Sequence, residues 1–248
     1  MDERVLAWDG CLNVRDLGGL RTEDGGVTRT GSVVRADSVG QLTDEGWRAL
    51  ADYGIETIVD LRFPHERVDD PPRTAGIDVV HVSLLGALDP GYWEGLEERA
   101  AAAGGSEAAT TLVYRETLER HGAETVEAIE AVASAPPGGV VVHCVGGKDR
   151  TALVSAFLLR LADVPAAAIA ADYALSAGFL APRHDSWIAG AANEAERERF
   201  RRIAATPAGA MLATLAELDR TYGGAAQYLR SAGAAEGVLA AARSRLRG

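Results

Sequence analysis

The stretch Gly139-Val140-Val141-Val142-His143-Cys144-Val145-Gly146-Gly147-Lys148-Asp149-Arg150-Thr151, followed by an apolar pattern to Leu161, decides how this chain is read. Val140 to His143 predicts a short buried strand, because β-branched residues run together behind a Pro136-Pro137-Gly138-Gly139 turn. Arg150 to Leu161 predicts a helix, with Leu153, Ala156, Phe157 and Leu161 on one face. Between them lie Cys144 and five residues ending at Arg150. A loop of this length at a strand-to-helix turn directs backbone N–H groups inward, and the helix start adds positive potential. The hollow suits a tetrahedral dianion. Gly146 and Gly147 let the backbone curl and approach a ligand. Arg150 can grip two phosphoryl oxygens with its planar fork. Cys144 lies at the bottom, where the same field favours a thiolate. The expectation is a phosphate cradle, formed by Val145, Gly146, Gly147 and Lys148, with a nucleophile in its floor.

Each piece also has a plainer reading. A cysteine in an apolar strand is usually a small buried hydrophobe. His143 alone reads as a hydrogen-bonded structural histidine, and Gly146-Gly147 alone as a turn. The combination is what carries weight, because all the pieces agree. A nucleotide-triphosphate P-loop needs Gly-x4-Gly-Lys-Ser/Thr. Here Val142 replaces the first glycine and Asp149 the hydroxyl residue, so that motif fails twice.

Composition narrows the classes. The chain has 248 residues, a net charge of −11 and 47% hydrophobic residues, so a folded domain is expected rather than disorder. The acidic balance disfavours nonspecific nucleic-acid binding. Apolar runs are too short for a transmembrane segment, and no charged-then-apolar signal segment opens the chain. Two cysteines, Cys11 and Cys144, argue for a reducing cytoplasm rather than a disulfide scaffold. His65, His81, His121, His143 and His184 show no zinc-like pairing, so neither metal nor cofactor is expected. Oligomeric state is not legible.

The sequence resembles the bacterial tyrosine phosphatase-like family, the atypical group with dual protein and phosphoinositide specificity. His143-Cys144-x-x-Gly147-Lys148-Asp149-Arg150-Thr151 is similar to its signature. Asn13 to Gly19, Gly31 to Asp37, Ile58 to Arg62, Asp172 to Ser176, and Tyr222-Gly223-Gly224 with Tyr228-Leu229 resemble further family motifs. The resemblance covers roughly residues 12 to 247. One departure is Ala152, where the family usually has glycine. The resemblance implies a cysteine-phosphatase fold, an enzyme of the protein-tyrosine-phosphatase type, and a phosphorylated protein or phosphoinositide as substrate. It also implies Asp149 as general acid. A helix N-terminus favours the carboxylate form, an objection to that role. Asp89 is the rival, placed where related tyrosine phosphatases carry an acid on a mobile loop. Asp60 is a third candidate, although a structural bond to Arg62 or to the 13–18 motif is the stronger reading.

Along the chain, residues 12–36 read as a small antiparallel unit turning at Thr22 to Gly26. A strand follows at Ser32–Arg35, then a helix from Asp44 to Tyr53, N-capped by Thr43 and ended by Gly54. Strands are expected at Ile55–Leu61 and Ile77–Leu84, with a polar loop over Arg62–Ala75. Asp89-Pro90-Gly91 reads as a turn before a helix at Glu94–Ala103. Further helices are expected at Glu107–Arg120, Glu124–Ser134, Ala166–Ser176, Glu194–Ile203, Pro207–Tyr222, Ala225–Ser231 and Ala235–Leu246. The class is α/β, a central mostly parallel sheet flanked by helices, with extra C-terminal helices. One domain, 1–248, is expected. The charge run from Glu194 to Arg202 reads as a solvated helix face; the family resemblance adds the alternative of a mobile lid within 193–248.

The chemistry expected is in-line attack by Cys144, a cysteinyl-phosphate, then hydrolysis. Thr151 could donate to the Cys144 sulfur or cap the helix, and His143 could order the loop from behind. Lys148 could touch the phosphoryl group or a second phosphate. Arg15, Asp16 and Arg62 fit either the rim or buried ion pairs. A noncatalytic phosphate-binding module is the alternative function. A persulfide or arsenate enzyme is a third reading, but it needs a second thiol and only Cys11 is available. Cys11 itself reads as a packed thiol, with a disulfide to Cys144 under oxidation as a minor idea.

Overall fold

β-Branched runs and capped helices alternate along the chain, and the computed structural model, which describes residues 3–70 and 76–247, assembles them into one five-stranded sheet clad by helices. In chain order the elements are β1 (Arg15–Asp16), β2 (Val33–Ala36), α1 (Asp44–Asp52), β3 (Ile55–Asp60), β4 (Asp78–His81), α2 (Pro90–Ala102), α3 (Ser106–Arg120), α4 (Gly122–Ser134), β5 (Gly139–His143), α5 (Asp149–Leu161), α6 (Ala166–Ala189), α7 (Glu194–Ala204), α8 (Ala208–Glu217), α9 (Ala225–Ser231) and α10 (Glu236–Arg247). The strand order is β1-β2-β5-β3-β4; only the β1–β2 pair is antiparallel.

The two-residue period of the strands sorts side chains onto two cores. Val33, Val59, Val140 and Val142 face one layer, packed against α4, α5 and α8 to α10. Val34, Ile58 and Val141 face the other, with Trp8, Val14 and Leu50. β5 is central and buried along its whole length. Its carboxyl end therefore opens between the ends of β2 and β3, the crevice where open α/β sheets place ligands. Thr43 caps α1 by accepting from the Gly46 N–H, and Gly54 follows with φ +85°.

Four expected elements have a boundary that differs by more than two residues. β4 is shorter than Ile77–Leu84, because its partner β3 ends at Asp60, whose carboxylate turns the chain by binding Arg62. α2 starts at Pro90 rather than Glu94. Pro90 suits a first helical turn and Asp89 accepts from the Tyr92 N–H, so the turn signals were a helix start. α6 runs on past Ser176 and through Pro182, held by the burial of Leu180 and His184 in its second half. The helix expected to reach Tyr222 ends at Glu217 and passes into a π turn, Leu218–Tyr222, closed by Gly223 at φ +80°. The loop expected over Arg62–Ala75 contains a 3-10 turn at Pro64–Arg67, and its residues 71–75 lie outside the described residues. Among the described residues no helix is long and apolar enough to cross a membrane.

The stretch 193–248 divides in two. α7 has no buried residue, whereas Met211, Leu215, Leu229, Leu239 and Leu246 of the later helices belong to the main core.

Candidate active site

The site begins where β5 stops. Val145 to Lys148 connect β5 to α5, and each of their carbonyl groups is drawn away by a donor from outside the loop. The Ser38 N–H donates to Val145 O at 3.1 Å. Asn13 Nδ2 donates to Gly146 O at 2.9 Å and to Gly147 O at 3.2 Å. Arg35 Nη2 donates to Gly147 O at 2.8 Å and Lys148 O at 3.5 Å, and the Ala152 N–H also reaches Lys148 O. In a planar trans peptide the N–H points opposite to the C=O it follows. The N–H groups of Gly146, Gly147, Lys148 and Asp149 therefore point to the other side, and none of them finds an acceptor among the described residues. The open N–H groups at the start of α5 continue this set.

Gly147 is required twice over. Its φ is +61°, and a Cβ there would lie 2.3 Å from the Ala36 carbonyl oxygen. Gly146 is not required in this sense, since a Cβ would meet nothing closer than 3.8 Å. The expectation that both glycines shape the loop thus narrows to Gly147.

The donors behind the loop are themselves fixed. Asp172 of α6, 2% exposed, receives Arg15 through Nε at 3.0 Å, Arg35 Nη1 at 2.8 Å and Arg4 Nη1 at 2.8 Å. Arg15 also donates to Asn13 Oδ1 at 2.6 Å, which orients the amide that holds Gly146 and Gly147. Burial pushes the Asp172 carboxyl up, but the guanidinium charges of Arg15 and Arg35 outweigh it and hold it far below the usual carboxylate range. Asp37 accepts from the Leu12 and Asn13 N–H groups and from Arg183. Arg15, Asp16 and Arg62 are therefore buried bonding groups, not rim residues.

Cys144 is buried and is a free thiol. His143 Nδ1 lies 3.2 Å from the Cys144 carbonyl oxygen, and its Nε2 lies 3.6 Å from Asp60 Oδ1. Asp60 binds Arg62 and Arg67, the structural role favoured from the sequence. Thr151 Oγ1 is buried and has no hydrogen-bond partner among the described residues, so it neither caps α5 nor bonds the Cys144 sulfur in this state. Cys11 is half-buried, and burial followed by the Asp37 charge pushes its thiol far up.

Arg150 is mostly buried, with its guanidinium carbon 5.6 Å from the centre of the Phe63 ring. Burial pulls its pKa down, but the charges of Cys144 and Glu66 outweigh that and hold it above its ordinary value. Its Nη1 and Nη2 donate to the two Glu66 carboxylate oxygens at 2.5 and 3.0 Å.

Asp149 opens α5 and receives two donors on one oxygen. Tyr114 Oη and Lys148 Nζ each donate to Oδ1 at 2.9 Å. Lys148 also reaches the Ala205 carbonyl at the end of α7, so its amine is held beside Asp149 rather than over the cradle. Asp89 caps α2 and does not line the cavity next to Asp149. That cavity, about 320 Å³, has apolar walls of Trp93, Leu96, Val113 and Ile203, with Glu97, Thr110, Tyr114, Lys148, Asp149, Arg199 and Arg202 as its polar members.

Sequence reasoning quoted the segments containing Asn13, Arg35 and Asp172 without giving these residues work to do. It missed Glu66 and Tyr114. Phe63 carries no capping side chain, so the local sequence held only Pro64 at a first helical turn and no signal for Glu66 itself.

Comparison with known proteins identifies the family. A family model described as the tyrosine phosphatase family matches residues 6–248. A tyrosine-protein phosphatase of Nostoc commune is 30% identical, over 86% of this chain and 73% of its own length. A triple specificity protein phosphatase of Mycobacterium tuberculosis, PtpB, is 26% identical over 96% of both chains. With an α/β fold whose central strand delivers a cysteine into an amide-lined loop, and a match across nearly its whole length, this chain belongs to the tyrosine phosphatase family, enzymes that hydrolyse phosphomonoesters.

Proposed function

We propose that the protein hydrolyses aryl phosphomonoesters, phosphotyrosine first among them, through a cysteinyl-phosphate on Cys144. The observation that supports this reading is the set of carbonyls from Val145 to Lys148 held by donors on one side, which turns the N–H groups of the same peptides away from those donors. A phosphomonoester dianion repels a thiolate, so its charge must be cancelled before attack. The N–H groups and the Arg150 guanidinium supply that cancellation in fixed positions, with no reorganisation at the moment of reaction.

The steps balance as follows. The Cys144 thiolate attacks phosphorus in line; the S–P bond forms as the P–O bond to the leaving group breaks. Asp149 gives its proton to the departing oxygen. Water then attacks the cysteinyl-phosphate, Asp149 takes a proton from it, and the thiolate leaves. Asp149 lines the cavity wall, so a leaving group seated in that cavity lies beside it. Thr151, with an unpaired hydroxyl, is available to the departing sulfur.

The apolar walls of Trp93, Leu96, Val113 and Ile203 favour a ring over a short alkyl chain. Arg199 and Lys148 are paired with Glu97 and Asp149; Arg202, the lining cation with no ion pair among the described residues, favours a substrate with further negative charge, as in an acidic phosphopeptide or a phosphoinositide.

A single assay series tests this. Purified protein releases phosphate from para-nitrophenyl phosphate and from phosphotyrosine peptides, vanadate blocks release, and C144S abolishes it. Phosphate binding without turnover in the unmutated protein makes it a binding module instead. D149N slows poor leaving groups about 10²–10⁴-fold and nitrophenolate far less, while D89N does neither; the reverse result moves the acid to Asp89.

A further inference from the structure

In the proposed cycle Asp149 gives a proton and later takes one, and two buried tyrosines lie behind it. Tyr114 of α3 donates its hydroxyl to Asp149 Oδ1 at 2.9 Å. Tyr173 of α6, fully buried, meets Tyr114 edge to face, with ring centres 5.9 Å apart and planes at 61°. The Tyr173 hydroxyl has no hydrogen-bond partner among the described residues. Its charged neighbour Arg35 does not satisfy it, since Arg35 Nε is unpaired as well. An unpaired buried hydroxyl costs free energy that a phenylalanine of the same shape would not.

Burial, and after it the Asp149 charge, pushes both hydroxyls far up, so neither tyrosine ionises. The two also lie close enough for each hydroxyl to act on the other. A phenolic hydroxyl both donates and accepts, and its hydrogen turns about the C–O bond. While Asp149 is ionised, Oδ1 is the stronger acceptor and holds the Tyr114 hydroxyl, as the structure shows. Lys148 donates to the same oxygen, which directs an incoming proton to Oδ2. Once that proton is in place, Oδ1 belongs to a neutral carboxyl and attracts the Tyr114 hydroxyl less. The Tyr173 oxygen is then the competing acceptor. It cannot drift away, because the preceding residue, Asp172, is held by Arg4, Arg15 and Arg35.

We propose that Tyr173 is a positioning residue that acts through Tyr114: its hydroxyl oxygen is the second seat for the Tyr114 hydroxyl, taken when Asp149 holds the proton it will give. No proton leaves either tyrosine; the Tyr114 hydroxyl turns from one acceptor to the other, and the neutral acid is supported. This rests on the phosphatase reading of Cys144 and Asp149. Lys148, Arg150 and His184 are the other titratable groups beside Asp149, and the variants below keep all three. The contrary role for Tyr173 is plain packing, in which only its ring matters.

The test compares wild type, Y173F, Y114F and the double variant on phenyl phosphate and para-nitrophenyl phosphate, with thermal melts of each. Phenyl phosphate has the poorer leaving group and needs the proton, so Y173F is expected to lower its kcat about 3–10-fold, the factor one hydrogen bond carries. Para-nitrophenyl phosphate turnover falls far less. The alkaline limb of kcat on phenyl phosphate moves to lower pH in Y173F, because the protonated acid has lost its support. The melting temperature is not lowered, since no bond present in the structure is removed. Adding Y173F to Y114F changes kcat less than about 2-fold, as action through Tyr114 requires. An unchanged Y173F, equal losses on both substrates with a lowered melt, or an alkaline limb that moves up each overturns the proposal. Tyrosine isotopically labelled at Cζ reads the pair by NMR without turnover. The Tyr173 signal is expected to move with pH in step with that of Tyr114, and both movements to vanish in D149N; a Tyr173 signal that stays flat overturns the proposal. A wild type as inactive as C144S sinks the phosphatase reading instead, and the labelled signals still decide the role of Tyr173.

Discussion

Behind the loop, one carboxylate with 2% of its surface exposed gathers three guanidinium groups; across the cavity, Glu97 of α2 meets Arg199 of α7 with 47% and 45% of their side chains in water. Both are arginine–carboxylate contacts between distant segments, yet they differ in kind. At Asp172 the charges have left water, so removing one partner strands the others in a low-dielectric interior. At Glu97 water screens the pair and refills either vacancy at little cost. The fold therefore makes the sheet side of the site rigid and leaves the helical side adjustable. Chemistry that needs N–H groups at fixed points is placed on the first, and recognition of the leaving group's body on the second.

That contrast can be broken at several levels. The largest effect is expected from D172N, which leaves Arg15 and Arg35 facing a neutral amide. It should cost about 3–5 kcal/mol in urea unfolding and take turnover with it. A cost below about 1 kcal/mol means the network does not hold the loop. The pH dependence follows from the same carboxyl. Its folded pKa is depressed, so its contribution is present above the ordinary aspartate range near ~3.9 and is lost as pH falls below that range. The acid limb of the stability curve should flatten in D172N.

Next is a pair of glycines one residue apart. G147A puts a Cβ at φ +61° and against the Ala36 carbonyl, and should cost about 1–3 kcal/mol and most of the activity. G146A, with open space around its Cβ, should lose much less of both. Equal losses would show that the loop has no preferred curl.

Smaller still is Y114F. The Tyr114 hydroxyl is buried and donates to Asp149, so its removal should cost about 0.5–1.5 kcal/mol, read as up to about a tenfold fall in kcat on poor leaving groups. A loss equal on good and poor leaving groups would detach Tyr114 from proton transfer. At the bottom of the scale, E97A should lower stability by only about 0.2–1 kcal/mol while altering KM for bulky aryl phosphates. A stability loss as large as that of D172N erases the contrast between the two walls.

The sequence showed what is local and left out what is distant. A strand ending in His143-Cys144, a glycine turn and a helix start are contiguous, so β-branching, turn chemistry and helical period disclosed them together. Thr43 and Gly54 marked α1 for the same reason. The grip of Asp172 on Arg15 spans 157 residues and that of Glu66 on Arg150 spans 84, and no spacing rule reaches so far. Asp89-Pro90 misled because capping residues and turn residues are chemically alike. The cavity was illegible because α2, α3 and α7 supply its walls from three separate stretches.

The central claim is that the sulfur of Cys144 carries the phosphoryl group between substrate and water. Turnover of a radiolabelled aryl phosphate, quenched in acid within milliseconds and followed by peptide mapping, reads this directly. The account predicts label on the peptide containing Cys144, lost on standing with water and absent in C144S. Steady turnover with no label on that peptide, or turnover that survives C144S, would contradict it.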